Sequence, residues 1–319
     1  CIVMPNDYLD FEEPIGALEN KIQELQSSDQ MQGQDLKKEI SKLNDSIIKL
    51  TEQIYKNLNI WQCVQVARHP QRPHFIDLVD KICTDFDELH GDRHYGDDKA
   101  LIGGLAQIGD HRLVLIGHEK GRSTDDKIKR NFGMSQPEGY RKAGRLMKLA
   151  EQFSLPVVTL VDTPGAYPGI DSEERGQSEA IANNLMLMSS LKTPVLVNII
   201  GEGGSGGALA IAVGDHISMM KYATYSVASP EACASIVWRD AEKASDAAEA
   251  MLMDAENILK LKLIDEIIDE PLGGAHRNPD QAALMLKKSI ITNLDNLKTK
   301  PISSLLETRY QRLMSYGNK

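Results

Sequence analysis

The chain has 319 residues, of which 41% are hydrophobic and 26% are charged, values that are ordinary for a globular protein in water. Its formal net charge of −10 argues against nucleic acid as the main partner, and no apolar run approaches the roughly 18–20 residues that span a bilayer. Four cysteines without a Cys-x-x-Cys pair argue against a zinc ribbon or a disulfide framework. We therefore expect a cytoplasmic protein without membrane or nucleic-acid partners.

The first predicted unit is a pair of helices. Apolar residues recur at spacings of three and four in Phe11–Leu58, the pattern of a helix with one apolar face. The polar gap Ser27–Gln34 is long enough to reverse the chain. We expect an antiparallel helical hairpin over residues 1–60 with a structural role, followed by a second unit over residues 61–319.

The second unit is predicted to be mixed α/β. β-Branched and apolar runs predict strands at Leu101–Ile108, Leu113–Ile116, Pro156–Val161, Pro194–Ile200, Ile217–Met220 and Tyr225–Ala228. Amphipathic and capping patterns predict helices at Glu138–Phe153, at Gln177–Leu191 and from Pro230 onward, with helices dominating to the end. Alternation of strands and helices predicts a parallel-rich sheet, in which ligands bind at the carboxyl ends of the strands.

Glycine is concentrated after one of these strands. Gly201–Gly207 holds five glycines in seven residues, between Pro194–Ile200 and a predicted helix at Ala208–Val213. Because glycine has no Cβ, a ligand can approach the backbone closely, and free backbone N–H groups there can bind a negatively charged oxygen atom. Asp162–Gly169 follows the neighbouring strand, so both loops are predicted at one sheet edge. An oxyanion hole and tight helix–sheet packing remain equally good explanations of the glycines.

The same residues match other motifs only formally. Gly201-x-Gly203-x-x-Gly206 fits a dinucleotide fingerprint, but Asp215 comes too early to be its acidic partner. Gly203–Gly207 fits the Gly-x-Ser-x-Gly pattern of serine hydrolases around Ser205, a match that a run of glycines makes common. No P-loop is present, and the histidines lack metal-ligand spacing, so no metal is predicted.

One basic segment stands out from the acidic average. Gly117–Lys148 holds nine basic residues and four acidic ones, a difference of 9 − 4 = +5. This segment is either a solvated helix face or a binding surface for an anionic ligand such as a phosphorylated cofactor tail. In the second case Lys120 and Arg122 are the candidate contacts.

The chain resembles the alpha subunits of bacterial acetyl-CoA carboxylase carboxyltransferases from about Leu9 to the C-terminus. The segments that carry the resemblance are Leu9–Glu12, Ala67–Pro73, Arg130–Met134, Pro137–Ala143, Asp162–Gly169, Glu173–Ser178, Gly201–Ala210, Pro271–His276 and Arg312–Gly317. The resemblance implies a crotonase-type fold of repeated ββα units after the hairpin. It also implies a complex of two alpha and two beta subunits, in which the beta subunit carries the zinc ribbon and this chain carries no metal.

The implied reaction moves a carboxyl group from carboxybiotin, tethered to the biotin carboxyl carrier protein, onto acetyl-CoA to give malonyl-CoA. This is the committed step of fatty-acid synthesis, and biotin carboxylase is a further implied partner. The family assigns the backbone N–H groups of Gly206 and Gly207 to the ureido oxygen of biotin. We expect a pocket lined also by Gly165, Ala166, Gly169, Gly203, Gly204 and Ser205.

Two alternatives remain, one a different enzyme and the other a protein without catalytic activity. A self-sufficient crotonase-type CoA hydratase or isomerase usually places a catalytic Glu near the start of the helix after the glycines, but Ala208–Ala212 contains no acid. A non-catalytic scaffold would only anchor the beta subunit through the N-terminal hairpin. An assay of malonyl-CoA decarboxylation with and without the beta subunit separates these hypotheses.

Overall fold

The structure is a computed structural model that describes residues 7–27 and 34–317. The α-helices of this part are α1 (Glu13–Ser27), α2 (Gln34–Lys56), α3 (Ile60–Ala67), α4 (Phe75–Ile82), α5 (Thr124–Lys129), α6 (Pro137–Gln152), α7 (Ile170–Glu174), α8 (Gln177–Ser190), α9 (Ser205–Leu209), α10 (Pro230–Trp238), α11 (Ala244–Met251), α12 (Ala255–Lys260), α13 (Pro279–Lys298) and α14 (Ile302–Ser315). The strands are β1 (Asp85–Glu88), β2 (Leu101–Ile108), β3 (His111–His118), β4 (Val157–Thr163), β5 (Val195–Gly204), β6 (His216–Met220), β7 (Thr224–Ser226) and β8 (Glu266–Ile268).

The two N-terminal helices pack against each other, as their apolar spacing predicts. Ile15 of α1 and Leu43 of α2 are buried, whereas most other residues of the predicted apolar faces are only half buried. The predicted reversal of the chain falls mainly on residues 28–33, which lie outside the described residues.

One mixed sheet organises the rest of the chain. Its strand order is β1-β2-β3-β4-β5-β6-β8, and β7 pairs with the end of β5. The pairs β1–β2 and β2–β3 are antiparallel, and the pairs from β3 through β8 are parallel, so the predicted parallel-rich sheet is confirmed. β4 and β5 are buried along their whole length, as expected for parallel strands covered on both faces.

The glycine segment differs from its prediction. Gly201–Gly204 is not a loop but the last part of β5, where Gly203 pairs with Thr163 of β4 and Glu202–Gly204 pair with β7. The helix begins at Ser205 rather than Ala208 and ends at Leu209. The glycines extend the strand because the neighbouring chain comes too close for a side chain: a Cβ on Gly204 would collide with the carbonyl oxygen of Pro164.

None of the helices in the described part of the chain combines the length and the apolar character needed to cross a membrane.

Candidate active site

The turn from β5 into α9 contains two adjacent glycine amides without a hydrogen-bond acceptor among the described residues. Ser205 has a φ of +54°, in the left-handed region that few non-glycine residues adopt. The carbonyl of Gly206 accepts a bond from the amide of Ala210 at 3.0 Å, so it points along the helix and the N–H groups of the first turn point away from it. Within the described residues, no hydrogen bond has the N–H of Gly206 or Gly207 as donor. The amide of Gly206 lies at the half-buried part of the turn, where a ligand can reach it, whereas Gly207 is buried.

The loop after β4 packs against this turn. A Cβ on Gly207 would lie 2.5 Å from the amide nitrogen of Ala166 and from the carbonyl carbon of Gly165. The two glycine-bearing loops thus meet at one sheet edge, as the strand ends predict. Packing alone explains why residue 207 is glycine. It does not explain Gly206, because a Cβ there would find its nearest neighbour, Ile181, at 3.7 Å.

An apolar cleft of about 700 Å³ opens beside Gly206. Ser205 and Gly206 are the predicted site residues that line it, and Gly165–Gly169 lies behind the turn rather than on the cleft wall. Its apolar walls include Leu185, Leu209, Val213, Ile217, Tyr225, Ile258, Leu263 and Leu313. Arg312 and Tyr316, at the end of the chain, supply polar groups at the cleft, and Arg312 is held by Asp265 at 2.6 Å.

The other predicted glycines do not face this cleft. Gly203 lies in β5, where a Cβ would come within 2.8 Å of the Tyr225 ring. Gly169 precedes α7, where a Cβ would collide with the side chains of Tyr167 and Asp171. Gly203 is therefore explained by close packing against β7, and Gly169 by close packing within its own loop.

Lys120 lies in an ionic cluster just before the turn. Its Nζ is 2.6 Å from Asp162 Oδ1 and 2.7 Å from Glu202 Oε2, and its side chain is 14% exposed. Arg68 Nε is 2.6 Å from Glu202 Oε1, and Arg68 also contacts Glu231 of α10. This cluster, which we call the junction cluster (Arg68, Lys120, Asp162, Glu202 and Glu231), joins the ends of β4 and β5 to α3 and α10.

In the junction cluster, attraction between opposite charges outweighs the free-energy cost of removing those charges from water. Burial alone raises the pKa of Glu202, but the charges of Lys120 and Arg68 lower it to about 2. Burial likewise opposes the charge of Lys120, and the carboxylates of Asp162 and Glu202 raise its pKa above the ordinary value. Lys120 is therefore a cation already paired within the chain.

The basic segment as a whole is neither an open cationic surface nor a simple solvated helix face. Arg122 contacts Asp77 and donates to the carbonyl oxygen of Pro70 at 2.7 Å. Arg141 pairs with Asp92 at 2.8 Å, and the fully buried Lys142 pairs with Asp97 at 2.5 Å. Sequence reasoning missed these pairs because the acidic partners precede the segment and come close only in the fold.

A buried cluster of potential metal ligands was also missed. Glu12, His69 and His276 place ligand atoms within 4.8 Å of one another. Both ring nitrogens of His69 are engaged, with Nε2 2.6 Å from the carbonyl of Asp7 and Nδ1 accepting from the amide of Gln71 at 3.1 Å. The two imidazoles stack with an interplanar angle of 18°, so their lone pairs do not converge on one point. The cluster joins the segment before α1 to the body of the protein.

Comparisons with known proteins find the same family over almost the whole chain. The family described as "Acetyl co-enzyme A carboxylase carboxyltransferase-like" matches residues 8–317. The acetyl-coenzyme A carboxylase carboxyl transferase subunit alpha of Saccharophagus degradans is 58% identical over 312 residues, which cover 98% of each chain. The protein of the same name from Hydrogenovibrio crunogenus is 59% identical over 315 residues and 99% of each chain.

Solved structures support the fold at low sequence identity. Transcarboxylase 12S aligns with a TM-score of 0.60 and 19% identity, covering 76% of this chain and 45% of the other. The beta subunit of geranyl-CoA carboxylase from P. aeruginosa aligns with a TM-score of 0.56 and 18% identity, covering 79% and 46%. The chain thus spans less than half the length of these neighbours, and it has the expected crotonase-like fold. It belongs to the family of acetyl-CoA carboxylase carboxyltransferase alpha subunits.

Proposed function

We propose that the turn at Gly206 and Gly207 holds the ureido oxygen of carboxybiotin while its carboxyl group passes to acetyl-CoA, giving malonyl-CoA. The observation that carries this proposal is a pair of adjacent amides that donate no hydrogen bond within the described residues, the first of which, Gly206, borders the apolar cleft. A bicyclic ring with one strongly polar oxygen suits such a site. The cleft volume of about 700 Å³ lies within the usual range for small-ligand sites.

Carboxybiotin supplies an activated carboxyl group, whose departure leaves negative charge on the ureido oxygen. The amides of Gly206 and Gly207 donate to that oxygen as the charge develops. Leu209 and Val213 keep the cleft apolar, which strengthens both hydrogen bonds. Removing one donor of this kind typically costs roughly 10²–10³ in rate. The ureido group of biotin would accept the proton that the acetyl methyl carbon loses as the new C–C bond forms. The proposed mechanism therefore requires no side-chain acid or base from this chain, in keeping with the lack of a recognisable triad.

The acceptor half of the reaction is assigned to a second polypeptide. The name of the relatives, subunit alpha, supports a multi-subunit complex, and the solved neighbours are about twice as long as the part that this chain matches. We propose that the beta subunit, in an assembly of two alpha and two beta chains, contributes the zinc ribbon and the acetyl-CoA site. Biotin carboxylase and the biotin carboxyl carrier protein would load and deliver the donor. The free thiols of Cys63, Cys83 and Cys233 fit a reducing, cytoplasmic setting.

The alternative of a self-sufficient hydratase or isomerase has no support in the comparisons. In addition, neither α9 nor the three residues that follow it, up to Ala212, carry a carboxylate. A mixing experiment decides between the hypotheses. Purified chain, purified beta subunit and their mixture are assayed for decarboxylation of malonyl-CoA with biocytin as carboxyl acceptor. We expect activity in the mixture only. Activity of this chain alone would favour a self-sufficient enzyme, and an inactive but stable mixture would favour a scaffold.

A further inference from the structure

Ser205 is a strained residue in the middle of the glycine segment. Among residues 201–207, all of which the structure describes, it alone has a φ in the left-handed region, at +54°. Glycine adopts this backbone conformation without a steric penalty, whereas serine adopts it at a cost in free energy. The chain therefore carries a side chain at the one position of the segment where glycine would relieve strain. Strain of this kind is concentrated at functional sites, which points to a role for this side chain.

A second serine has the same backbone angle for a different reason. Ser154 also has a φ of +54°, and it follows the C-terminus of α6, a position that commonly adopts left-handed backbone. Ser205 instead begins α9, where helix geometry does not require such an angle. The ordinary explanation from helix ends thus accounts for Ser154 and does not account for Ser205.

The Ser205 hydroxyl is an open hydrogen-bonding group on the cleft. None of the hydrogen bonds found in the described part of the chain involves it. Its oxygen is not among the buried side-chain atoms that lack a partner, and the residue is half buried and lines the cleft, so a ligand can reach the hydroxyl. Since no imidazole or carboxylate of the described residues accepts its proton, the hydroxyl is a hydrogen-bond donor rather than an activated nucleophile.

The hydroxyl and the Gly206 amide are neighbouring donors. They belong to consecutive residues that both line the cleft, so covalent geometry keeps them close together. Carboxybiotin presents two neighbouring oxygens, because its carboxyl group is attached to a nitrogen of the ureido group. The Gly206 amide is assigned above to the ureido oxygen, which leaves the Ser205 hydroxyl beside an oxygen of the carboxyl group.

Two nearby cations are already paired with carboxylates. Arg312 of the cleft donates to Asp265 at 2.6 Å, and Lys120 lies 2.6 Å from Asp162. A neutral donor suits a carboxyl group that departs as CO₂, because a cation would stabilise the bound carboxylate much more than the transition state that leads to the neutral product.

We propose that the Ser205 hydroxyl donates a hydrogen bond to the carboxyl group of carboxybiotin and so recognises the loaded form of the donor. The inference rests on the function proposed above for Gly206. As the bond between the ureido nitrogen and the carboxyl carbon breaks, its electron pair stays with the ureido group and CO₂ passes to the acetyl carbon. Ser205 keeps its proton throughout. The need for a hydroxyl beside Gly206 explains why a strained serine occupies a position that favours glycine.

The test uses the assembled complex with the beta subunit. Ser205→Ala removes the hydroxyl and keeps the strained backbone, whereas Ser205→Gly removes both. The same two changes at Ser154, which is exposed and has the same φ, are the matched controls. Measured quantities are KM for the carboxylated biotin carboxyl carrier protein in the forward reaction, KM for biocytin in malonyl-CoA decarboxylation, the melting temperature, and the mass of the chain after incubation with malonyl-CoA.

We expect Ser205→Ala to raise KM for the carboxylated carrier about 10-fold or more, because a hydrogen bond to a charged group is lost. KM for biocytin, which lacks the carboxyl group, should stay within twofold of wild type. Ser205→Gly should raise KM for the carboxylated carrier equally, and its melting temperature should shift as that of Ser154→Gly does. Both Ser154 variants should keep the wild-type KM values, and the mass of the chain should not change.

An unchanged KM for the carboxylated carrier in Ser205→Ala would overturn the proposal. So would an equal rise in KM for biocytin, which would place the hydroxyl on the ring, or a wild-type KM in Ser205→Gly, which would make backbone strain the cause. An acyl adduct on Ser205 would identify a nucleophile and would overturn it as well. These outcomes leave the proposed function standing, whereas a wild-type complex that transfers no carboxyl group would refute that function itself.

Discussion

The two sides of the β5–α9 junction are built from opposite chemistry. On the strand side, the junction cluster combines three carboxylates, one of them Glu202, with two cations, and its central groups are nearly sealed from water. On the helix side, the backbone of Ser205 and Gly206 borders an apolar cleft. The charges hold the backbone at the ends of β4 and β5, and under the proposed function the backbone amides are left to bind the ligand. The predictions below test that division.

The largest expected effect is on stability, from Lys120→Met. It leaves the carboxylates of Asp162 and Glu202 buried without their shared cation, and breaking a buried pair in this way costs about 3–5 kcal/mol. Urea unfolding at neutral pH measures the loss.

Arg122→Met is the matched control from the same basic segment. Its side chain is 42% exposed and its pair with Asp77 lies at the surface, so we expect a loss below about 1 kcal/mol. Equal losses in the two variants would contradict a special role for the junction cluster. The control also addresses the CoA interpretation, because an unchanged KM for acetyl-CoA in Arg122→Met would remove Arg122 as a phosphate contact.

A smaller effect separates the two neighbouring glycines. Gly207→Ala forces a Cβ against the backbone of Gly165 and Ala166 at 2.5 Å, and overpacking of this kind costs about 1–3 kcal/mol. Gly206→Ala has 3.7 Å to its nearest neighbour and should leave the free energy of unfolding within about 1 kcal/mol of wild type. Thermal unfolding of both variants measures the difference. Similar melting temperatures would contradict this expectation, because they would mean that the loop after β4 moves to make room for the added Cβ at position 207.

A separate prediction concerns the acid dependence of the junction cluster. The pKa of Glu202 is about 2 in the fold against an ordinary value of 4.5. Because the folded value is the lower one, ionised Glu202 contributes its full stability above about pH 4.5 and loses it as the pH falls toward 2. Glu202→Gln should show a flatter loss of unfolding free energy in that window. Glu24→Gln, on an exposed face of α1, should keep the wild-type slope; matching slopes in both variants would contradict the account.

The sequence predicts β2 to β6 and part of β7, because apolar and β-branched runs determine these strands locally, whereas the short edge strands β1 and β8 are not predicted. The two strands predicted within residues 101–116 are present and pair antiparallel, and the segments after β4 and β5 meet because parallel strands end at one sheet edge. Lys120 shows why the ionic contacts are not predictable: its partners Asp162 and Glu202 come from other strands and meet only after folding. The extension of β5 to Gly204 could not be predicted for a related reason. Glycine is a poor strand former, and it is needed here only because a neighbouring backbone, which comes close after folding, leaves no room for a side chain.

The central claim, that bare amides rather than side chains handle the developing charge, is tested most directly by Gly206→Val in the assembled complex. The structure leaves room for a first side-chain atom at this position, so assembly with the beta subunit and the melting temperature should stay near wild type. The account predicts that kcat for carboxyl transfer falls at least about 10²-fold. Wild-type kcat in a Gly206→Val complex would contradict it.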